Sequence, residues 1–163
     1  MVQGPGSVDM PLSIDPLRAS LPELERWYLE APVCEKPRGL FHGRHLAWLP
    51  TTAPRWLRPT LVVGFCWLVF GVDFDRDVWF FVDRRLRIGR FRADIGRSRW
   101  RDTRAVRLHY DISSLPGRVS GFLYDEVKPI DERRCLGMGG VNAPAGRGEQ
   151  FFFLLEKEPV QNW

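Results

Sequence analysis

The chain of 163 residues predicts an all-β fold, an antiparallel barrel of about eight strands braced by an N-terminal helix. Three observations carry this. From Val78 onward, short apolar or alternating segments are separated by turn residues. Val106, Leu108, Tyr110 and Ile112 alternate with Arg107, His109 and Asp111, the period of a half-buried strand. The clearest helix signature is confined to residues 20–30. Residues that are 44% hydrophobic, among them 21 rings, can offset the entropy of ordering and supply one core.

Residues 1–12, with Gly4-Pro5-Gly6-Ser7, read as a flexible tail, and 13–163 as a single barrel domain. Ser20-Leu21-Pro22-Glu23 combines a capping hydroxyl, a first-turn proline and a capping-box glutamate, so a helix is expected over 21–30. Leu21, Leu24 and Tyr28 share one stripe beside Trp27, and Pro32 stops the helix. A strand is expected over 40–48 and a short helix over 53–57. The apolar run 61–70 reads as strand rather than helix on its β-branched and aromatic content with Gly64 inside. Further strands are expected at 78–83, 86–96, 104–112, 119–129, 134–141 and 150–157, with Ser113-Ser114-Leu115-Pro116-Gly117 as a turn.

The formal charge of +4 is built from arginine, since Lys36, Lys128 and Lys157 are the only lysines. Ten arginines between Arg84 and Arg107 could attract an anionic partner, but Asp83, Asp94 and Asp102 interrupt them, and alternation sends half to each face. Nucleic acid is therefore disfavoured, and membrane-surface attachment is a minor alternative. Cys34, Cys66 and Cys135 are odd in number and form no CxxC pair, which points to a reducing, cytoplasmic setting.

Val106-Arg107-Leu108-His109-Tyr110-Asp111, then Leu123-Tyr124-Asp125-Glu126-Val127-Lys128-Pro129-Ile130, Cys135-Leu136-Gly137-Met138-Gly139 and Phe151-Phe152-Phe153-Leu154-Leu155-Glu156 form a succession that resembles uncharacterised bacterial lipocalin-like, calycin-type barrels. The resemblance covers roughly the last 60 residues and is a strand grammar rather than a catalytic motif. Where a lipocalin opens with Gly-x-Trp, this chain reads Gly39-Leu40-Phe41. The resemblance implies a cup for an apolar, lipid-like or polyketide-like molecule.

Motif by motif, most chemistry falls away. His42 and His45 point to opposite faces of a strand, and no metal site is expected. Asp73-Phe74-Asp75-Arg76-Asp77 has Val78 where a calcium loop needs Gly, so it reads as a solvated turn. Gly137-Met138-Gly139-Gly140 fails the dinucleotide pattern and reads as a place of close backbone approach; no cofactor is expected. Gly117-Arg118-Val119-Ser120-Gly121 is not a hydrolase elbow.

What remains is a set of polar groups within apolar strands. On one strand Asp125 faces opposite to Tyr124, Glu126 and Lys128, and one of these sets should enter the lumen. His109, Tyr124, Asp125 and Glu126 are the candidate proton-transfer residues; the structural alternative is an ion pair that satisfies a buried acid. Trp67, Trp79, Phe91, Tyr110, Phe122 and Phe152, with Arg90 for an anionic head, are the candidate ligand contacts. Rings on both faces of Phe151-Phe152-Phe153 leave one face for the helix, a ligand or a second copy in a homodimer. The leading expectation is binding of a hydrophobic small molecule in the barrel. The alternative is a cofactor-free cyclase or isomerase acting on a flexible apolar substrate there.

Overall fold

In the computed structural model, which describes residues 15–50, 70–81, 89–114, 117–121, 123–141 and 148–158, helix α1 (Leu21–Glu30) precedes nine strands. The Glu23 carboxylate accepts from both the Ser20 N–H at 2.7 Å and the Ser20 hydroxyl at 2.6 Å, so the hydroxyl donates within the capping box. The strands are β1 (Leu40–Trp48), β2 (Phe70–Asp73), β3 (Val78–Phe81), β4 (Gly89–Arg90), β5 (Arg92–Arg97), β6 (Arg104–His109), β7 (Leu123–Pro129), β8 (Arg134–Val141) and β9 (Glu149–Lys157). All pair antiparallel in the order β4-β3-β2-β1-β9-β8-β7-β6-β5, a nearly closed barrel.

The segment expected as one strand over 86–96 is interrupted at Phe91. Its first part pairs with β3 (Val78↔Arg90) and its second with β6 (Arg92↔His109), so one stretch of chain serves both ends of the sheet. At the break the Phe91 N–H donates to the Asp77 carbonyl at 3.0 Å, and the buried Phe91 ring meets Phe74 and Tyr110. The strand expected over 119–129 begins at Leu123, after one helical turn, Gly117–Ser120. The expected helix over 53–57 and most of the 61–70 run lie outside the described residues. Residues 74–77 form the turn between β2 and β3, with Asp77 at φ 52°.

The core has two parts on opposite faces of the wall. Trp79 on β3 and Phe153 on β9 have ring centroids 5.8 Å apart although β2 and β1 lie between their strands in the sheet. Such a contact runs across the lumen, which assigns Phe41, Val72, Phe91, Val106, Leu108, Tyr110, Val127, Cys135 and Leu155 of the same cluster to the inside. The other cluster joins Leu24, Trp27 and Tyr28 of α1 to Trp100, Tyr124, Leu136, Met138 and Phe152, so α1 lies against the outer wall. No helix among the described residues is long and apolar enough to cross a membrane.

Candidate functional site

Strand pairing orders the lumen in rows. Leu108, Asp125, Gly139, Phe151 and Trp48 stand side by side across β6, β7, β8, β9 and β1, and Val106, Val127, Gly137, Phe153 and His45 form the next row. The two glycines are slots for rings. A Cβ on Gly139 would lie 2.6 Å from the Phe151 ring and 2.7 Å from the Asp125 carboxylate, and one on Gly137 would overlap the Phe153 ring.

Asp125 brings a carboxyl group into this apolar space. It accepts a short hydrogen bond from the Tyr110 hydroxyl. Burial pushes its pKa up to about 7, against the lowering effect of the Tyr110 hydroxyl and the Gly140 N–H. Burial, with the Asp125 charge nearby, raises the Tyr110 phenol well above its ordinary value. The pair can hold a proton near neutrality in a medium that disfavours charge.

A cup of about 510 Å³ opens at the end of the barrel where β1 begins and β9 ends. Inward-facing Phe41 and Cys135, with Pro37 and Pro129, supply its apolar lining, while Lys36, Arg38, Arg133 and Lys157 stand on its rim with Glu35, Asp131 and Glu132. Lys36 is engaged by Asp77 at 2.9 Å and Asp131 by Arg134 at 2.6 Å. Arg38, Arg133 and Lys157 have no ion pair among the described residues, and the Lys157 Nζ lies 6.0 Å from the Phe41 ring centroid. Burial raises the Cys135 thiol to about 12, so it is an uncharged wall group at neutral pH.

The opposite face of β7 carries a second polar system beneath α1. Buried Glu126 accepts from the hydroxyls of Tyr28 and Tyr124, each at 2.7 Å, the Ser98 hydroxyl at 2.5 Å and the Arg99 N–H at 2.6 Å. Burial, with the Glu126 charge, raises both phenols. Buried Lys128 donates to the Tyr28 carbonyl at 2.5 Å and the Thr103 hydroxyl at 2.8 Å. Arg101 adds a two-pronged bond to Glu25 of α1, at 2.8 and 2.6 Å, and a bond to Glu149 at 3.0 Å. These hydrogen bonds hold the helix to the wall.

The predicted residues therefore separate. Asp125, Tyr110, Trp79 and Phe91 are together on the lumen side. Tyr124, Glu126 and Phe152 belong to the face under α1. His109 lies on that outer face, its Nε2 3.3 Å from Asp94, whose carboxyl is held below its ordinary range first by the Arg107 hydrogen bond. It lines a recess of about 200 Å³ with Arg92, Asp111 and Tyr124. Arg90 is exposed, and Trp67 and Phe122 lie outside the described residues. Phe41, Cys135 and Lys157 at the cup were not among the predicted site residues. The single signal that could have found them is that residues near strand ends line a barrel's mouth.

No family model matches the chain, and no curated protein matches it. Among solved structures it is similar to one titled "Crystal structure of protein from Thermomonospora curvata", at 16% identity over 86% of this chain and 89% of that chain, with a TM-score of 0.46.

Proposed function

We propose that the barrel is a lipocalin-like binder of a hydrophobic small molecule that carries an anionic head group, with the cup at the mouth as the entry and head-group site. The observation that carries this is the cup itself, a space of about 510 Å³ that sets the Lys157 ammonium beside the Phe41 ring. That volume falls within the range of small-molecule sites, and seven of the eleven lining side chains are charged, four of them basic, which suits a charged head group at this mouth. A carboxylate at the rim meets Lys157, Arg133 and Arg38, and the chain it carries lies against Phe41 and Pro129. Isothermal titration with dodecanoate and with dodecyltrimethylammonium tests this. Dodecanoate should bind at one per chain, and Lys157→Glu with Arg133→Glu should weaken it at least tenfold. Equal binding of the two surfactants, or no effect of the charge reversals, would sink the reading.

A second reading, a cofactor-free isomerase or cyclase, is favoured by one observation, the Tyr110–Asp125 pair in the lumen with the Asp125 carboxyl near pH 7. On that reading Asp125 exchanges a proton with an apolar substrate and Tyr110 steadies the carboxylate that results. Asp125→Asn separates the two. A binder keeps its occupancy with no further loss, whereas an enzyme still holds product but no longer forms it.

A further inference from the structure

His45 and Trp48 stand three apart on β1, a spacing that on an uninterrupted strand sends side chains to opposite faces. The register shift between His45 and Ala47 absorbs one residue. His45 is thereby paired with Phe153 and Trp48 with Phe151, so both turn toward the lumen. Their ring centroids are 4.9 Å apart, and the Phe151 ring lies 5.8 Å from the imidazole and 5.5 Å from the indole. Nε2 of His45 and Nε1 of Trp48 are buried, and neither has a hydrogen-bond partner among the described residues. Most buried polar side-chain atoms in native proteins are paired. Trp100 Nε1 and His109 Nε2 also lack a hydrogen-bond partner among the described residues, but His45 and Trp48 set two such nitrogens side by side against an aromatic wall, a place for one shared acceptor.

We propose that His45 and Trp48 form a second ligand site inside the barrel, for an uncharged apolar molecule bearing a carbonyl oxygen. An indole N–H can only donate, so the partner group must accept; an ammonium cannot. Burial lowers the His45 pKa, which leaves the imidazole neutral at pH 7 and able to donate from Nε2 to the same oxygen. A carboxylate is disfavoured because Asp125 is the charged group in the same row and no described cation faces it there. The apolar remainder lies against Phe151. This site goes beyond the cup: His45 is four residues along β1 from Phe41, about 13 Å at the rise of a strand.

The test uses the full chain, labelled with nitrogen-15, and three probes of equal length: 2-nonanone, nonane and nonanoate. 2-Nonanone should move the Trp48 indole N–H resonance saturably, and nonane should not. Trp48→Phe and His45→Phe should each weaken 2-nonanone about fivefold, the loss of one hydrogen bond, and leave nonanoate binding unchanged. If Trp48→Phe does not fold, the indole resonance in the unaltered chain, assigned by its contacts with Phe151, gives the same answer. An unmoved indole, or 2-nonanone binding no tighter than nonane, means that water occupies the site and overturns the proposal. Failure of the unaltered chain to bind nonanoate would refute the cup and leave this site standing, whereas loss of nonanoate binding in Trp48→Phe or His45→Phe would overturn this proposal.

Discussion

Lys128 reaches from β7 into the C-terminal end of α1 and donates to the carbonyl oxygen of Tyr28 at 2.5 Å. The last carbonyls of a helix lack intrahelical partners and carry partial negative charge, and here a buried ammonium meets them, with Thr103 taking a second proton and itself bonding to the Leu29 carbonyl at 3.2 Å. Lys128→Met keeps the volume and removes the donor. It should lower the unfolding free energy by about 2 kcal/mol, the cost of buried acceptors left unpaired. The urea midpoint at constant slope reads it; an unchanged midpoint would show that water replaces the ammonium.

Glu126 binds four donors with two oxygens. A glutamine offers one acceptor and turns an amide N–H₂ toward donors. Glu126→Gln should therefore cost about 3 kcal/mol, while Tyr28→Phe, which removes one donor of the four, should cost about 1 kcal/mol. In the double variant the Tyr28 effect should shrink, a coupling that a double-mutant cycle reads directly. Strict additivity would mean that the two groups do not act on each other.

Gly137→Ala places a methyl group where the Phe153 ring lies. The expected loss is about 2–3 kcal/mol from overpacking. Phe153→Leu vacates the slot, so the double variant should recover part of what Gly137→Ala loses. No recovery would locate the strain in the backbone instead of the ring.

Two groups give stability opposite dependences on pH. Asp125 has a folded pKa raised from 3.8 to about 7, so between those values the folded state binds more protons and stability falls as pH rises. Lys128 has a folded pKa lowered from 10.5 to about 8, chiefly by burial, so between those values the unfolded state binds more protons and stability rises with pH. The two contributions leave a trough near pH 7 to 8. Urea titrations across pH should show Asp125→Asn abolishing the acidic limb and Lys128→Met the basic one; persistence of either limb assigns it to another group.

Helix α1, β1 and β8 have the bounds read from sequence because their ends carry local signals: the Ser20 to Glu23 cap, Gly39 before β1 and the turn at 131–133 before β8. Local chemistry sets those ends. The interruption at Phe91 and the bulge after His45 have no such signal, since each follows from how the sheet bends to close. Alternation on β7 separates Asp125 from Tyr124, Glu126 and Lys128, but it does not say which set enters the lumen. On β8 even the alternation is gone, because Cys135 to Gly140 are buried on both faces, by the lumen packing on one side and α1 on the other. A helix laid outside the barrel makes both faces of its wall interior, and periodicity then loses its meaning.

The alternation of β7 also guards the assembly of the barrel. A slip of one residue would drive Glu126 and Lys128 among Phe151, Phe153 and Val106, far from Tyr28, Ser98 and the end of α1, and would turn Val127 outward. Two unpartnered charges in that space make any pairing displaced by an odd number of residues much costlier than the native one. The groups that fasten the helix thus also serve as a key that rejects any alignment of the wall with its faces exchanged.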